Sequence, residues 1–142
     1  MKFSAAILSA SLLTLAIQAN ANSTLELSYL NDQPNYIVDA GCAVFLEENY
    51  GQPDARWVGK FDYPLYPAWF GINGQDVNIN LDGELLKPGD SAIGKTNEYT
   101  LKMTAVNDIP CDFECEAVKT TLEVTNSAGV SITQSVIFQC DI

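Results

Sequence analysis

The run Tyr99-Thr100-Leu101-Lys102-Met103-Thr104-Ala105 puts an apolar or aromatic side chain at every second position, with Thr100, Lys102 and Thr104 between them. Successive strand residues point to opposite faces, so a period of two marks a strand with one face on a core and one on water. The pattern recurs down the chain. Val118, Thr120, Leu122 and Val124 alternate with Lys119, Thr121, Glu123 and Thr125. Val130, Ile132, Val136, Phe138 and Cys140 share a face interrupted by Gln134, and Cys42, Val44 and Leu46 form a similar inward set near the start.

Turn chemistry separates these runs. Asn73-Gly74, between Ala68–Ile72 and Val77–Leu81, signals a two-residue hairpin. Asp82-Gly83 and Pro88-Gly89 mark further turns, and Asn126-Ser127-Ala128-Gly129 joins the last two strands. Residues 107–114, with Pro110, read as a longer loop between strands 98–106 and 116–125. No segment keeps an amphipathic helical period over three turns, and there is no internal repeat, low-complexity tract or linker. The expectation is an all-β fold, an antiparallel sandwich or flattened barrel of about seven to nine strands, stapled by disulfides.

The first 21 residues carry a different pattern. Lys2 precedes an apolar region from Ala5-Ala6-Ile7-Leu8 to Leu15-Ala16-Ile17, and Ala19-Asn20-Ala21 supplies a small-x-small cleavage site. This reads as a secretory signal peptide, too short and interrupted for a permanent membrane span. No cysteine stands at the cleavage site, so neither a lipid nor a membrane anchor is expected. The domain reading is a signal peptide over 1–21, a lead-in or edge strand over 22–40, and one β-domain over 41–142. The product is expected in the periplasm or outside the cell, and the short leader points to a bacterium.

Export decides how the cysteines are read. Cys42, Cys111, Cys115 and Cys140 form an even set, which in an exported chain argues for two disulfides. Chain entropy does not choose among the three pairings. Strand pattern favours Cys42–Cys140, two inward cysteines on the first and last core strands. That leaves Cys111–Cys115 to pinch a loop tip.

Charge narrows the partners. The chain has 7 basic and 18 acidic residues, net −11, and losing Lys2 with the leader leaves 6 against 18, net −12. Such a balance repels nucleic-acid phosphates and anionic headgroups, and it suits cationic proteins or metal ions as well as plain solubility. The absence of histidine removes Ser-His-Asp and Cys-His nucleophile pairs and histidine-ligated metals together. Arg56 is the single arginine, so a multi-arginine phosphate clamp is excluded. No carboxylate stands in a context that marks it for acid-base work, and neither enzyme activity nor a cofactor is expected.

Three clusters remain. Asn78-x-Asn80-x-Asp82-Gly83-Glu84, after Asp76, has the alternating oxygen ligands that open a calcium loop. Against this, position 78 is Asn, and the twelfth position falls on Gly89 with Asp90 one place late. The simpler reading is a strand with Val77, Ile79 and Leu81 inward. Around the proposed loop disulfide lie Asp108, Asp112, Glu114 and Glu116, with Ile109, Pro110 and Phe113 between them. Four carboxylates on a clamped loop make a rigid negative knob suited to a cationic groove, because preorganisation lowers the entropy lost on binding. Trp57, Phe61, Tyr63, Tyr66, Trp69 and Phe70 crowd the middle of the chain and are expected mostly in the core, with one or two tyrosines at the rim. Tyr63-Pro64 and Tyr66-Pro67 are candidate cis bonds.

Gly41-Cys42-Ala43-Val44-Phe45, the Ile72-Asn73-Gly74 turn and the closing Phe138-Gln139-Cys140 together resemble small exported bacterial β-domains. Those domains, of uncharacterised activity, open on Gly-Cys and end on a cysteine-containing strand. The resemblance covers residues 41–142 and implies a fold but no activity. Where such domains often carry a second cysteine beside each terminal one, this chain has Val44 and Asp141. Ser91, Gly94 and Tyr99 share residue types with the Ser-Gly-x-x-Tyr loop of periplasmic lysozyme inhibitors. Their spacing differs, since Ala92-Ile93 separates Ser from Gly, and no site is carried over.

The functional expectation is a non-enzymatic binding module, monomeric or weakly self-associating. It would recognise a cationic protein through Asp108, Asp112, Glu114 and Glu116, with Phe113 as apolar anchor. The alternatives are a structural or assembly component of the cell surface, with residues 22–35 as a donated strand, and a weak calcium- or carbohydrate-binding domain.

Overall fold

The computed structural model describes residues 24–33, 41–62, 67–112 and 114–141. The leader, Tyr63, Pro64, Tyr66 and Phe113 lie outside the described residues. Ten strands occur in chain order: β1 (Leu27–Ser28), β2 (Cys42–Leu46), β3 (Trp57–Phe61), β4 (Ala68–Ile72), β5 (Gln75–Asn78), β6 (Asp82–Gly83), β7 (Ser91–Lys95), β8 (Tyr99–Ile109), β9 (Cys115–Asn126) and β10 (Ser131–Asp141). Every pairing is antiparallel, and the sheet runs β1-β4-β3-β2-β10-β9-β8-β7-β6, with β5 also on β4. The all-β antiparallel expectation holds, with two corrections. The strands among the described residues number ten because the two-residue β1 and β6 are too short to show a period. The ladder does not close into a barrel.

Instead one chain segment spans both ends of the sheet. β5 leaves β4 at Asn78, Ile79 and Leu81 drop into the core, and β6 joins β7. Asp82-Gly83 is therefore a strand pair and not a turn. Gly94 allows this crossing, since a Cβ there would stand 2.6 Å from the Asn80 carbonyl oxygen. Asn73 and Gly74 both have positive φ, 50° and 77°, the requirement of the two-residue hairpin read from sequence.

The segment expected as a lead-in or edge strand contributes β1, which ends the sheet beside β4. Leu25 and Leu30 are buried, and β1 wedges against β4 where a Cβ on Gly71 would collide with the Ser28 carbonyl. The Asp76 carboxylate accepts the backbone N–H groups of Asn31 and Asp32, at 2.7 and 3.2 Å. Lys60 pairs with Asp32 at 2.7 Å.

Alternation sends two sets of side chains to opposite sides of β2, β3 and β4. The inner set, including Val44, Val58, Phe70 and Ile72, joins Leu101, Met103, Leu122, Val136 and Phe138 in the main core. There Phe61 packs edge-to-face on both Phe70 and Phe138, with centroids 5.6 and 5.3 Å away. The outer set, Ala43, Phe45 and Trp57 with Leu30, forms a second small core beneath Tyr50, Ala55 and Trp69. The described members of the aromatic crowd thus divide between the two cores: Phe61 and Phe70 go to the inner one, Trp57 and Trp69 to the outer. Cys42 and Cys140 are directly opposed on neighbouring strands, and their disulfide joins β2 to β10 at one end of the main core.

Candidate partner-binding site

The tip of the β8–β9 hairpin lies beyond a bulge. Pairing slips between Ala105 and Asn107, after which Asn107, Asp108 and Ile109 pair with Lys119, Val118 and Ala117. The connecting loop is accordingly 110–114, shorter than the 107–114 read from sequence. The bulge resets the alternation, so Val106-Asn107-Asp108-Ile109 does not look like a strand. Cys111 and Cys115 close the loop with a disulfide, and Glu114 turns the chain at φ 46°.

Asp108, Asp112, Glu114 and Glu116 are all exposed. Among the described residues, the ion pairs are Lys60–Asp32 and Lys119–Glu47, and none of these four carboxylates enters an ion pair or side-chain hydrogen bond. They do not converge on one surface. Asp108 opposes Val118 and Glu116 opposes Cys140, which places both on the inner side of the sheet past its last buried layer. Asp112 belongs to the outer side.

On that outer side lies an open groove of about 400 Å³. Its described lining is Phe45 and Gln139 from the sheet, Tyr50, Gly51, Gln52 and Ala55 on one side, and Pro110, Cys111, Asp112 and Cys115 on the other. A short 3₁₀ turn, Glu47–Asn49, brings Tyr50 over the outer core, where its ring meets Phe45 edge-to-face at 5.6 Å. Lys119 fastens this turn to the sheet through Glu47 at 2.8 Å. The Lys119 hydrogen bond, followed by one from Ser135, holds the Glu47 carboxyl below the ordinary value. Burial, and then the negative charge of Asp112, push the Tyr50 phenol above its ordinary pKa of 10.0.

Phe45, Tyr50, Gln52, Ala55 and Gln139 were not among the candidate site residues read from sequence. Their opposition to the 110–115 loop depends on β2 and β9 flanking β10, which no local pattern carries.

In the run considered for calcium, Asp82 and Glu84 are exposed, while both asparagine side chains serve the backbone of β4. The Asn78 amide donates to the Ala68 carbonyl at 2.9 Å, and the Asn80 side-chain oxygen accepts the Ala68 N–H at 3.2 Å. Both asparagine side chains are thus engaged by the backbone of one residue, Ala68, and hold the segment against β4. Among the described residues, no three acidic or cysteine side chains group at metal-binding distance.

No family model matches this chain, and no curated protein or solved structure is detectably similar to it.

Proposed function

We propose that this protein is an exported, non-enzymatic binding module that recognises a cationic protein partner through the acidic disulfide loop at the β8–β9 tip. One observation carries the reading: four exposed carboxylates, without ion-pair partners among the described residues, stand on a hairpin end held by a covalent clamp. Exposed charges without internal partners add to the long-range field of a chain with net charge −11, and a clamped loop loses little entropy on docking. The paired cysteines fit an oxidising compartment.

Assembly by donation of residues 22–35 to another copy is less favoured, because Leu27 and Ser28 of that segment already pair with Ile72 and Gly71 of β4 in the same chain.

The test is affinity capture by the oxidised protein from extracytoplasmic extract, eluted with salt. A basic protein should be released by moderate salt, its association rate should fall as salt rises, and Asp112→Lys/Glu114→Lys should abolish capture. Capture indifferent to salt and to the charge reversal would refute the proposal.

A further inference from the structure

The groove beside the acidic loop has features that exposed carboxylates alone do not supply. We infer that it receives one arginine side chain of a basic protein partner, the guanidinium lying against the Tyr50 ring and bonding to the Asp112 carboxylate. This rests on the binding reading above and specifies where and how one partner residue docks.

Size is the first argument. A groove of about 400 Å³ lies near the lower end of small-ligand sites, room for a long side chain and a little backbone. Lining is the second. Phe45, Tyr50 and Ala55 supply apolar surface for an aliphatic stem, Asp112 supplies a negative charge, and Gln52 and Gln139 bring amide oxygens that accept N–H bonds. Among the described residues, no lysine or arginine lines it.

The third argument is electrostatic. Lys119, on the neighbouring outer face, is already bound to Glu47, and Asp112 has no ion-pair partner among the described residues. The upward displacement of the Tyr50 phenol, to which Asp112 contributes, is consistent with a negative potential in the groove.

Geometry selects arginine over lysine. A planar guanidinium can stack on an aromatic face while donating two parallel bonds to a carboxylate, whereas an ammonium offers a point charge. The edge-to-face contact with Phe45 occupies at most one face of the Tyr50 ring, which is only half-buried. The fold already makes one contact of this type, with the Arg56 guanidinium 4.7 Å from the centre of the Tyr29 ring.

The experiment titrates the oxidised protein with three blocked tripeptides, Gly-Arg-Gly, Gly-Lys-Gly and Gly-Gln-Gly, followed by backbone and side-chain amide NMR. The arginine peptide should shift Ala55, Gln52 and Gln139 saturably, bind about threefold or more tighter than the lysine peptide, and leave the glutamine peptide without effect. Asp112→Asn and Tyr50→Leu should each weaken it by about fivefold or more. Glu98→Gln, the same charge loss at the far end of the hairpin, should not. Scattered shifts, equal binding of the arginine and lysine peptides, or equal weakening by Asp112→Asn and Glu98→Gln would overturn the inference and leave the acidic-loop reading standing. Groove shifts without any salt-released basic protein would keep the groove and remove that reading.

Discussion

Two groups of carboxylates in this molecule have opposite fates. Asp76 and Asp90 belong to the fold. Asp76 receives the N–H groups of Asn31 and Asp32, and Asp90 receives those of Leu86 and Lys87 at 3.0 and 2.9 Å. Asp108, Asp112, Glu114 and Glu116 receive no such bonds from the described residues. The difference lies in what braces each loop. Around 84–90 and 31–32 the backbone leaves the ladder, and its donors need acceptors from side chains. At the β8–β9 tip a disulfide closes the turn, so the carboxylates are spare. Charge that folding does not use is charge available to a partner.

The largest expected effect sharpens the contrast between the two clamps. Cys42→Ala/Cys140→Ala opens a link across 98 residues of chain and should cost about 3–5 kcal/mol in urea unfolding. A cost no larger than that of opening Cys111–Cys115, whose separation is 4, would show that loop closure is not what the first link contributes.

Next in size is a direct test of the comparison. Asp90→Ala removes two loop hydrogen bonds and should destabilise by about 1 kcal/mol, with Asp90→Asn recovering part of this because it keeps an acceptor. Asp112→Ala should stay within about 0.5 kcal/mol of wild type, as exposed substitutions without structural bonds do. Equal losses at the two positions would break the distinction between used and spare carboxylates.

The smallest effect concerns pH. A free tyrosine ionises near 10.0, and Tyr50 in the folded protein ionises above that. The unfolded chain therefore loses this proton first, and the contribution of Tyr50 to stability declines as pH rises from about 10 through the folded value. A Tyr50→Phe variant should lack one phenol that ionises above 10.0 in an absorbance titration. Asp112→Asn should lower the Tyr50 midpoint only part of the way, since burial is the larger cause. A midpoint unmoved by Asp112→Asn would mean that the loop does not face Tyr50.

Sequence by itself determined the strand faces of β2, β8, β9 and β10, the Asn73-Gly74 turn, the cysteine pairing and the location of spare acidic charge near the β8–β9 tip. All of these follow from covalent geometry that acts over a few residues: the two-residue alternation of side chains, the positive φ that Asn-Gly tolerates, and the inward phase of Cys42 and Cys140. Tertiary structure decided what depends on distant segments meeting. It built β1 and Leu30 into the fold, carried one segment from β4 to β7, and bulged β8 so that Asp108 became a strand residue. It also set Asp112 on the opposite side of the sheet from Asp108 and Glu116, and it faced Tyr50 toward a loop some sixty residues away in the chain. Local periodicity names the face of each side chain but is blind to which other strand lies beside it, because that choice is made by packing the whole core at once.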